Sequence, residues 1–382
     1  MKDTKGFSVI INCFCCVTAF LLTVFLIAPN AGEVADNFLI AVKSNFTTES
    51  ESVKKLYFEK KTEIENTSEE TTVNGIDSMA AVLNEGEEKA ENDEDTDFKT
   101  PDDIEKMRND YLTAFASGKA KGKVTECFFT NNGATDSIGN IHIKNTASKK
   151  ADFARLIKNG IKTDFGDFSE PVVLIFHTHT TESYLMADTG YFYKGYETRS
   201  TDPNRNMIRV GNEICRQLEK NGIGVIHDTN IYDETYNGAY GRSRKTVTEY
   251  LEKYPTIKIV LDVHRDAVYT SDTEHLKPVC KINGRKAAQI MIITGADGGP
   301  VSSFPHWEEN LTFALAVQKQ VQTDFEGLMK PVYFCNRRYN MDLTDCSLLL
   351  EFGSDANTLD EAVRSASFFG ISLSRLIKSV HK

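Results

Sequence analysis

Imidazole and carboxylate groups lie at or next to the ends of three apolar segments of this 382-residue sequence. The segments are VVLIF at 172–176, IKIVLDV at 257–263 and SLLLEFG at 347–353. The side chains suited to chemistry beside them are His177, His179, Glu182, His264 and Glu351. Open α/β sheets bind ligands beyond the carboxyl ends of their strands. If the segments are strands of one sheet, these groups share one edge of it.

Two imidazoles and one carboxylate are a donor set of a catalytic zinc site, which keeps a fourth position open for water. His179 and Glu182 are three residues apart, close enough to reach one ion, and His264 would complete the set. His177 is the alternative first ligand, because residues two apart along a strand point to the same side. We predict His179, since its shorter separation from Glu182 requires less ordering of the chain. His177 would then hydrogen-bond a backbone group and position the loop.

Glu351 is the candidate catalytic group. A carboxylate in an otherwise apolar strand is costly unless it is used, and a zinc hydrolase needs a group that takes a proton from water and passes it to the leaving nitrogen. We expect Asp262 or Asp266 to orient a liganding histidine and Arg265 to hold a substrate carboxylate. Each group alone has a structural interpretation, such as an ion pair or a cap, and their coincidence at strand ends favours a hydrolase.

Composition and motifs disfavour other functions. The chain has a net charge of −11, whereas nucleic-acid binding needs clustered Lys and Arg to neutralise phosphates. No GxSxG motif accompanies Ser183 or Ser243, which argues against a serine hydrolase. The segment GADGGP at 295–300 lacks the Lys-Ser/Thr ending of a phosphate-binding loop.

Strand and helix patterns alternate from residue 169 onward. The predicted strands are 172–176, 223–227, 257–263, 287–294 and 347–353, and the predicted helices are 206–222, 241–253, 306–322 and 357–378. This alternation predicts an α/β fold in which a mostly parallel mixed sheet is covered by helices on both faces.

The N-terminal hundred residues predict a membrane anchor and a stalk. The uncharged run at 7–28 would span about 33 Å as a helix, enough to cross a bilayer core of about 30 Å. Lys2 and Lys5 precede the run, so the positive-inside rule predicts a cytoplasmic N-terminus and an extracytoplasmic remainder. The alternative is a cleaved signal peptide, which the length of the run and the lack of a small-x-small site disfavour.

Composition also sets the expected domain boundaries. We predict a cytoplasmic tip and transmembrane signal anchor at 1–29, an acidic disordered stalk at 30–100, an N-terminal α+β region packing on the core at 101–168, and a catalytic α/β domain at 169–382. The acidic tract NEGEEKAENDEDTD supports the stalk, because such a segment cannot bury enough surface to fold. In the third region we expect a helix beginning near residue 102 and a strand at 141–144.

Six blocks of the sequence, taken in order, resemble the stage II sporulation protein P family. They are LIFHTHTTESY at 174–184, NRNMIRVGNEI with KNGIGVIHD at 204–228, YNGAYGRS at 236–243, VLDVHRDA at 260–267, GRKAAQIMIITG at 284–295 and SLLLEFGS at 347–354. That family resembles zinc-dependent N-acetylmuramoyl-L-alanine amidases. The resemblance therefore implies a zinc amidase/carboxypeptidase-like fold and a bound Zn²⁺.

The resemblance further implies a peptidoglycan hydrolase with amidase and endopeptidase activity in forespore engulfment. Its implied partners are peptidoglycan, the cell membrane, and stage II sporulation proteins D and M, with the catalytic domain in the septal space between the membranes. The amidase pattern of His, Glu, His and catalytic Glu matches His179 or His177, then Glu182, His264 and Glu351. The close spacing of the first pair is nearer to zinc carboxypeptidases. A carboxypeptidase or endopeptidase that acts only on stem peptides, and an inactive wall-binding scaffold, are the alternative functions.

Overall fold

The apolar, β-branched runs of the sequence form the centre of an eight-stranded sheet. The structure, a computed structural model, describes residues 98–131 and 133–380, all of which belong to one unit, Thr72–Lys382. Its strands are β1 (Ala120–Cys127), β2 (Asp136–Ile138), β3 (Ile141–Asn145), β4 (Val173–Phe176), β5 (Tyr191–Tyr193), β6 (Val225–His227), β7 (Ile259–Asp266), β8 (Tyr269–Ser271), β9 (Glu274–Ile282), β10 (Arg285–Ala288), β11 (Ile290–Gly295), β12 (Val332–Cys335) and β13 (Cys346–Ser354).

The eight-stranded sheet has the order β2-β3-β12-β11-β13-β7-β4-β6. β13, β7, β4 and β6 are mutually parallel. β11 runs antiparallel to β13, and β12 and β3 follow the direction of β11. The carboxyl ends of β4, β7 and β13 therefore meet at one edge, as the sequence predicts for the segments at 172–176, 257–263 and 347–353.

A second sheet, of five strands, was not predicted. It has the order β10-β9-β1-β5, with β8 paired to β9. Across the described residues six strand pairings are parallel and five are antiparallel, so the fold is mixed α/β and the expectation of a mostly parallel arrangement is wrong. Hairpins account for much of the difference, because short turns such as the one between β9 and β10 join only antiparallel strands.

Helices cover both faces of the larger sheet. They are α1 (Asp102–Ala114), α2 (Phe153–Asn159), α3 (Met207–Lys220), α4 (Ala239–Lys253), α5 (Trp307–Asp324) and α6 (Leu359–Val380). α3, α5 and α6 pack in the main core with the sheet residues Ile175 and Val263. On the other face, Val247 of α4 packs against Leu174 and Phe176. α6 is buried along nearly its whole length, which matches its apolar sequence.

The predicted elements occur close to their expected positions. The five predicted strands correspond to β4, β6, β7, β11 and β13, and the four predicted helices to α3, α4, α5 and α6. The 101–168 region begins with α1 and contributes β1 to the smaller sheet and β3 to the larger one. No helix in the described part of the chain is long and apolar enough to span a membrane. The predicted anchor at 7–28 and the acidic tract lie outside the described residues.

Candidate active site

Paired strands place three of the predicted groups on one face of the larger sheet. His264 on β7 is the register partner of Glu351 on β13, and Asp262 is the partner of Leu349. Residues paired across a ladder, and residues two apart along a strand, point to the same face. Asp262, His264 and Glu351 therefore face one side near the carboxyl ends of their strands.

His264 lies between two carboxylates. Its Nδ1 is 3.4 Å from Oε2 of Glu182, and its Nε2 is 2.7 Å from Oδ1 of Asp262. Asp262 also accepts hydrogen bonds from the backbone N–H and the hydroxyl of Thr178, at 2.8 and 2.7 Å. Burial opposes the charged form of His264, but attraction to Asp262 and Glu182 raises its pKa well above the usual value. Asp262 thus holds the turn after β4 by hydrogen bonds and forms a close ion pair with His264, although the ring N–H is not aimed at its oxygen; this is the position from which a carboxylate can orient a histidine.

Glu182 is a buried carboxylate that is held in its ionised form. Burial alone would raise its pKa, but the hydrogen bond to His264 and the charge of Arg265 lower the pKa of Glu182 to about 2. Its Oε2 accepts the backbone N–H of Arg265 at 3.3 Å, and its Oε1 is 3.6 Å from Nη2 of Arg199. An ionised carboxylate in contact with an imidazole can act as one of a pair of metal ligands.

The His179 imidazole is enclosed by aromatic rings. Its ring stacks on Tyr236, with centroids 4.7 Å apart, and meets Tyr240 edge to face at 5.5 Å. Its Nδ1 is buried and has no hydrogen-bond partner among the described residues; Oδ2 of Asp233 lies 3.9 Å away. Burial lowers the pKa of His179, which favours the neutral imidazole that can donate a lone pair to a metal.

His177 points away from this group, and the expectation that it shares a side with His179 is wrong. Its Nδ1 lies 2.8 Å from the Val263 carbonyl and its Nε2 lies 2.8 Å from Nε2 of His227. A Cβ added to Gly211 of α3 would lie 2.7 Å from the same Nε2, so His177 packs against α3. β4 ends at Phe176 and a turn follows, so the alternation of a strand does not continue to His179. Because hydrogen bonds occupy both nitrogens of His177, the geometry favours His179 as the ligand.

Glu351 carries a carboxyl group that the surrounding protein leaves partly unsatisfied. Its Oε2 is buried without a hydrogen-bond partner in the described chain. Burial and the repulsion of Asp266 and Glu182, only partly offset by His264 and Lys330, raise the pKa of Glu351 to about 8. A carboxyl group whose pKa lies near neutrality can both accept and donate a proton at physiological pH.

Arg265 and Asp266 have different partners from those expected. The Arg265 guanidinium is buried and donates to the backbone carbonyls of Ser183, at 3.2 Å, and Thr198, at 2.9 Å. These bonds tie β7 to the turn after β4, so Arg265 is placed to position the site and not to hold a substrate carboxylate. Asp266 lies 3.2 Å from Nζ of Lys330 and not against a histidine, so Asp262 alone has the orienting geometry.

A tyrosine pair and a strained loop close one side of the site. Tyr240 stacks on Tyr339 with centroids 5.1 Å apart and lies nearly parallel to the His264 ring at 6.5 Å. Tyr339 and Asn340 both have positive φ, at 43° and 58°, a costly conformation that persists where surrounding contacts enforce it. The Asn340 side-chain amide donates to the Tyr240 carbonyl at 3.1 Å and to the Ser243 hydroxyl at 3.0 Å. These bonds fix the loop against the start of α4.

Sequence reasoning missed several residues that line the site: Arg199, Asp233, Tyr236, Tyr240 and Lys330. Tyr236 and Tyr240 occur in the segment YNGAYGRS, where two aromatic residues among glycines were the available signal. Asp233 and Arg199 had no sequence signal, since their significance depends on contacts between distant segments.

His179, Glu182 and His264 are residue types that bind zinc, and the distance between two of their donor atoms suits a shared zinc ion. Two donors that share a tetrahedral zinc at about 2.0–2.1 Å lie about 3.3 Å apart, close to the 3.4 Å between Nδ1 of His264 and Oε2 of Glu182. Within residues 98–131 and 133–380, no three His, Cys, Asp or Glu side chains already converge on one metal position. The unpartnered Nδ1 of His179 marks it as the candidate third donor.

A comparison with protein families matches residues 34–373 to the family described as Stage II sporulation protein P. The stage II sporulation protein P of Bacillus subtilis (strain 168) is 29% identical over 245 residues, which cover 57% of this chain and 56% of that protein. The alignment thus spans about half the length of this curated relative.

Solved structures to which the chain shows similarity include two amidases and a carboxypeptidase. The CwlD amidase from Clostridioides difficile, solved with the GerS lipoprotein, is 12% identical, with 55% of this chain and 99% of that chain covered and a TM-score of 0.36. The catalytic domain of the amidase CwlV from Bacillus (Paenibacillus) polymyxa var. colistinus is 13% identical, with 56% and 99% covered and a TM-score of 0.33. A metallo-carboxypeptidase from Burkholderia cenocepacia is 11% identical, with 57% and 59% covered and a TM-score of 0.30.

Proposed function

The chain belongs to the stage II sporulation protein P family, and from that premise we propose that it is a zinc-dependent N-acetylmuramoyl-L-alanine amidase of the sporulating cell. The bond cleaved is the amide between N-acetylmuramic acid and L-alanine of the stem peptide. The observation that carries the proposal is the buried, unpartnered Oε2 of Glu351, paired across the strands with His264 and close enough to Glu182 to feel its charge. A scaffold protein has no need of such a costly group.

His179, Glu182 and His264 would hold the zinc ion. A bound zinc ion polarises a carbonyl and lowers the pKa of water. Asp262 keeps the His264 ring in place, and Arg265 keeps the turn that carries Glu182 against β7. Glu351 takes the proton of the attacking water and returns it to the amide nitrogen as the peptide leaves. The Tyr240 ring, which lies nearly parallel to that of His264, borders this position on one side.

We further propose that the chain is anchored in the cell membrane by the run at 7–28, with its catalytic part outside the cytoplasm. The acidic stretch at 30–100 would extend this part toward the wall, because like charges repel. Family resemblance supports a role in forespore engulfment with stage II sporulation proteins D and M, and an additional endopeptidase activity on stem cross-links.

A peptidase that acts only on stem peptides is the second candidate. It is favoured by the three-residue spacing of His179 and Glu182, which resembles zinc carboxypeptidases. Product analysis of digested sacculi separates the candidates, because an amidase releases intact peptides from the glycan whereas a peptidase shortens peptides that stay attached.

The Glu351→Gln variant tests the assignment of roles. It should retain the zinc content of the wild type, since no proposed ligand changes, and lose about 10²- to 10⁴-fold in turnover of sacculi. The matched control is Glu249→Gln, which changes an exposed carboxylate on α4. Full activity of the Glu351→Gln protein, or loss of its zinc with unchanged ligands, would contradict the mechanism.

A further inference from the structure

Tyr236 presents an exposed ring directly over the site. At 59% exposure it is the most exposed large hydrophobic side chain in the described part of the protein. Its ring lies parallel to the His179 imidazole, with an interplanar angle of 1° and a centroid distance of 4.7 Å. One aromatic face therefore covers a candidate ligand while much of the ring stays open to solvent. A single exposed ring needs no explanation on its own, but this one covers a candidate ligand and so would meet any molecule that binds there.

The loop that carries Tyr236 is clamped by an arginine. The Arg242 guanidinium donates to the backbone carbonyls of Tyr232 at 2.8 Å, Asn237 at 3.1 Å and Thr235. Three carbonyls bound by one side chain hold both sides of Tyr236 in place. A ring presented by an ordered loop loses little entropy on binding, so the loop is built for recognition.

A second set of bonds ties this loop to the turn of His179. The buried carboxylate of Asp233 accepts the backbone N–H and the hydroxyl of Thr181, at 3.0 and 2.6 Å. The same carboxylate accepts a hydrogen bond from Nη1 of Arg199 at 2.7 Å. The Arg199 guanidinium in turn lies 5.6 Å from the centre of the Tyr236 ring. Tyr236 is therefore fixed relative to the turn that would hold the metal.

We propose that Tyr236 is a substrate-binding residue whose ring stacks on a sugar ring of the glycan strand, next to the amide to be cleaved. The inference rests on the proposed function. The muramic acid ring is joined to that amide by its short lactyl group, so a sugar must lie beside the site. A pyranose face carries C–H groups that suit the negative face of a phenol ring.

Local charge favours a neutral sugar over the stem peptide at this position. Arg199 is engaged by Asp233 and lies near Glu182, so its charge is matched within the protein. Glu234, which follows Asp233 in the loop that carries Tyr236, is exposed and adds a carboxylate there. A stem peptide, which is rich in carboxylates, would meet like charge here, whereas an N-acetylated sugar would not.

The test measures binding of peptide-free glycan strands and hydrolysis of sacculi by the purified full chain. Tyr236→Ala should weaken glycan binding about 3- to 10-fold, the range expected for one aromatic contact, and should raise KM more than it lowers kcat. Tyr236→Phe keeps the ring and should restore most of the lost affinity. The matched control is Tyr191→Ala, which removes a ring of 50% exposure on β5. Zinc content is measured for each variant.

The outcomes separate this inference from the proposed function. Glycan binding that is unchanged in Tyr236→Ala, or equally weak in Tyr236→Phe, overturns the stacking role. A loss confined to kcat, or a loss of affinity for free stem peptide in place of glycan, also overturns it. If the wild type binds no glycan yet releases peptides, the subsite is wrong and the amidase stands. If the wild type binds glycan through Tyr236 but releases no peptides, the subsite stands and the amidase is wrong.

Discussion

Acid should destabilise this protein through the buried imidazole of His177 and the partly buried imidazole of His227. Their Nε2 atoms are 2.8 Å apart, and Nδ1 of His177 faces the Val263 carbonyl, which can only accept a hydrogen bond. His177 therefore carries its proton on Nδ1 and accepts the N–H of His227. Burial lowers the pKa of His227 to about 4 and that of His177 well below its usual value.

The sign and size of the effect follow from the pKa of His227. Its ordinary value of 6.5 applies in the unfolded chain, which therefore binds a proton more readily than the folded protein does. The full stability is present above pH 6.5 and is lost as the pH falls toward 4. At about 1.4 kcal/mol per pKa unit the shift corresponds to about 3–4 kcal/mol. Because His227 is only partly buried, we expect a loss of about 2 kcal/mol.

Urea unfolding at pH 7.5 and pH 5.0 measures this loss, with EDTA present so that metal binding does not contribute. Other groups, such as His264, titrate in the opposite direction, so the decisive quantity is the difference between variants. The wild type should lose unfolding free energy between pH 7.5 and pH 5.0. In His227→Gln that loss should be smaller by about 1–2 kcal/mol, which is half or all of the ~2 kcal/mol expected from His227. Asn212→Asp should also reduce it, because Oδ1 of Asn212 lies 3.0 Å from Nδ1 of His227 and a carboxylate there favours the charged ring. Equal losses in the wild type and His227→Gln would refute this reasoning.

Three further predictions concern metal binding and stability. His179→Ala should abolish zinc binding, whereas His177→Ala should keep most of the zinc and lower the free energy of unfolding by about 2–4 kcal/mol, as metal titration and urea unfolding will show. Gly211→Ala should destabilise the fold by about 1–3 kcal/mol, because its Cβ would lie 2.7 Å from Nε2 of His177; unchanged unfolding would contradict this. Lys277→Met should cost about 3–5 kcal/mol in the same assay, since the buried carboxylate of Glu361, now 3.1 Å from the ammonium, would lose its counter-charge and keep only its hydrogen bonds from Asn357 and Thr358.

The order of strands along the chain and the edge that gathers the reactive groups were predictable from the sequence. A fully apolar run such as that of β4, and the largely apolar run of β13, must be buried on both faces, and parallel strands in α/β folds present their carboxyl ends together. Glu351 could be picked out as a candidate catalytic residue from the sequence, because an acidic residue in a buried strand has few structural explanations.

The smaller sheet was not predictable, because its strands carry charged residues such as Lys123 and Lys277 and are paired with segments distant in the sequence. β1 pairs with β9, about 150 residues further along the chain, through a parallel ladder from Lys123↔Glu274 to Cys127↔Pro278. Backbone hydrogen bonds over such a separation depend on where the rest of the chain has already placed the two segments, and local hydrophobic pattern carries little trace of them.

Residue types and spacing by themselves determined which side chains could take part in chemistry, and the tertiary structure decided what each one faces. His177 and His179 are alike in sequence, yet the turn after β4 sends one toward α3 and the other toward Tyr236. Arg265 was expected to meet substrate, but the carbonyls of Ser183 and Thr198 take up its donors. The physical reason is that a side chain's role depends on its partners, and partners from distant segments meet only when the chain has folded.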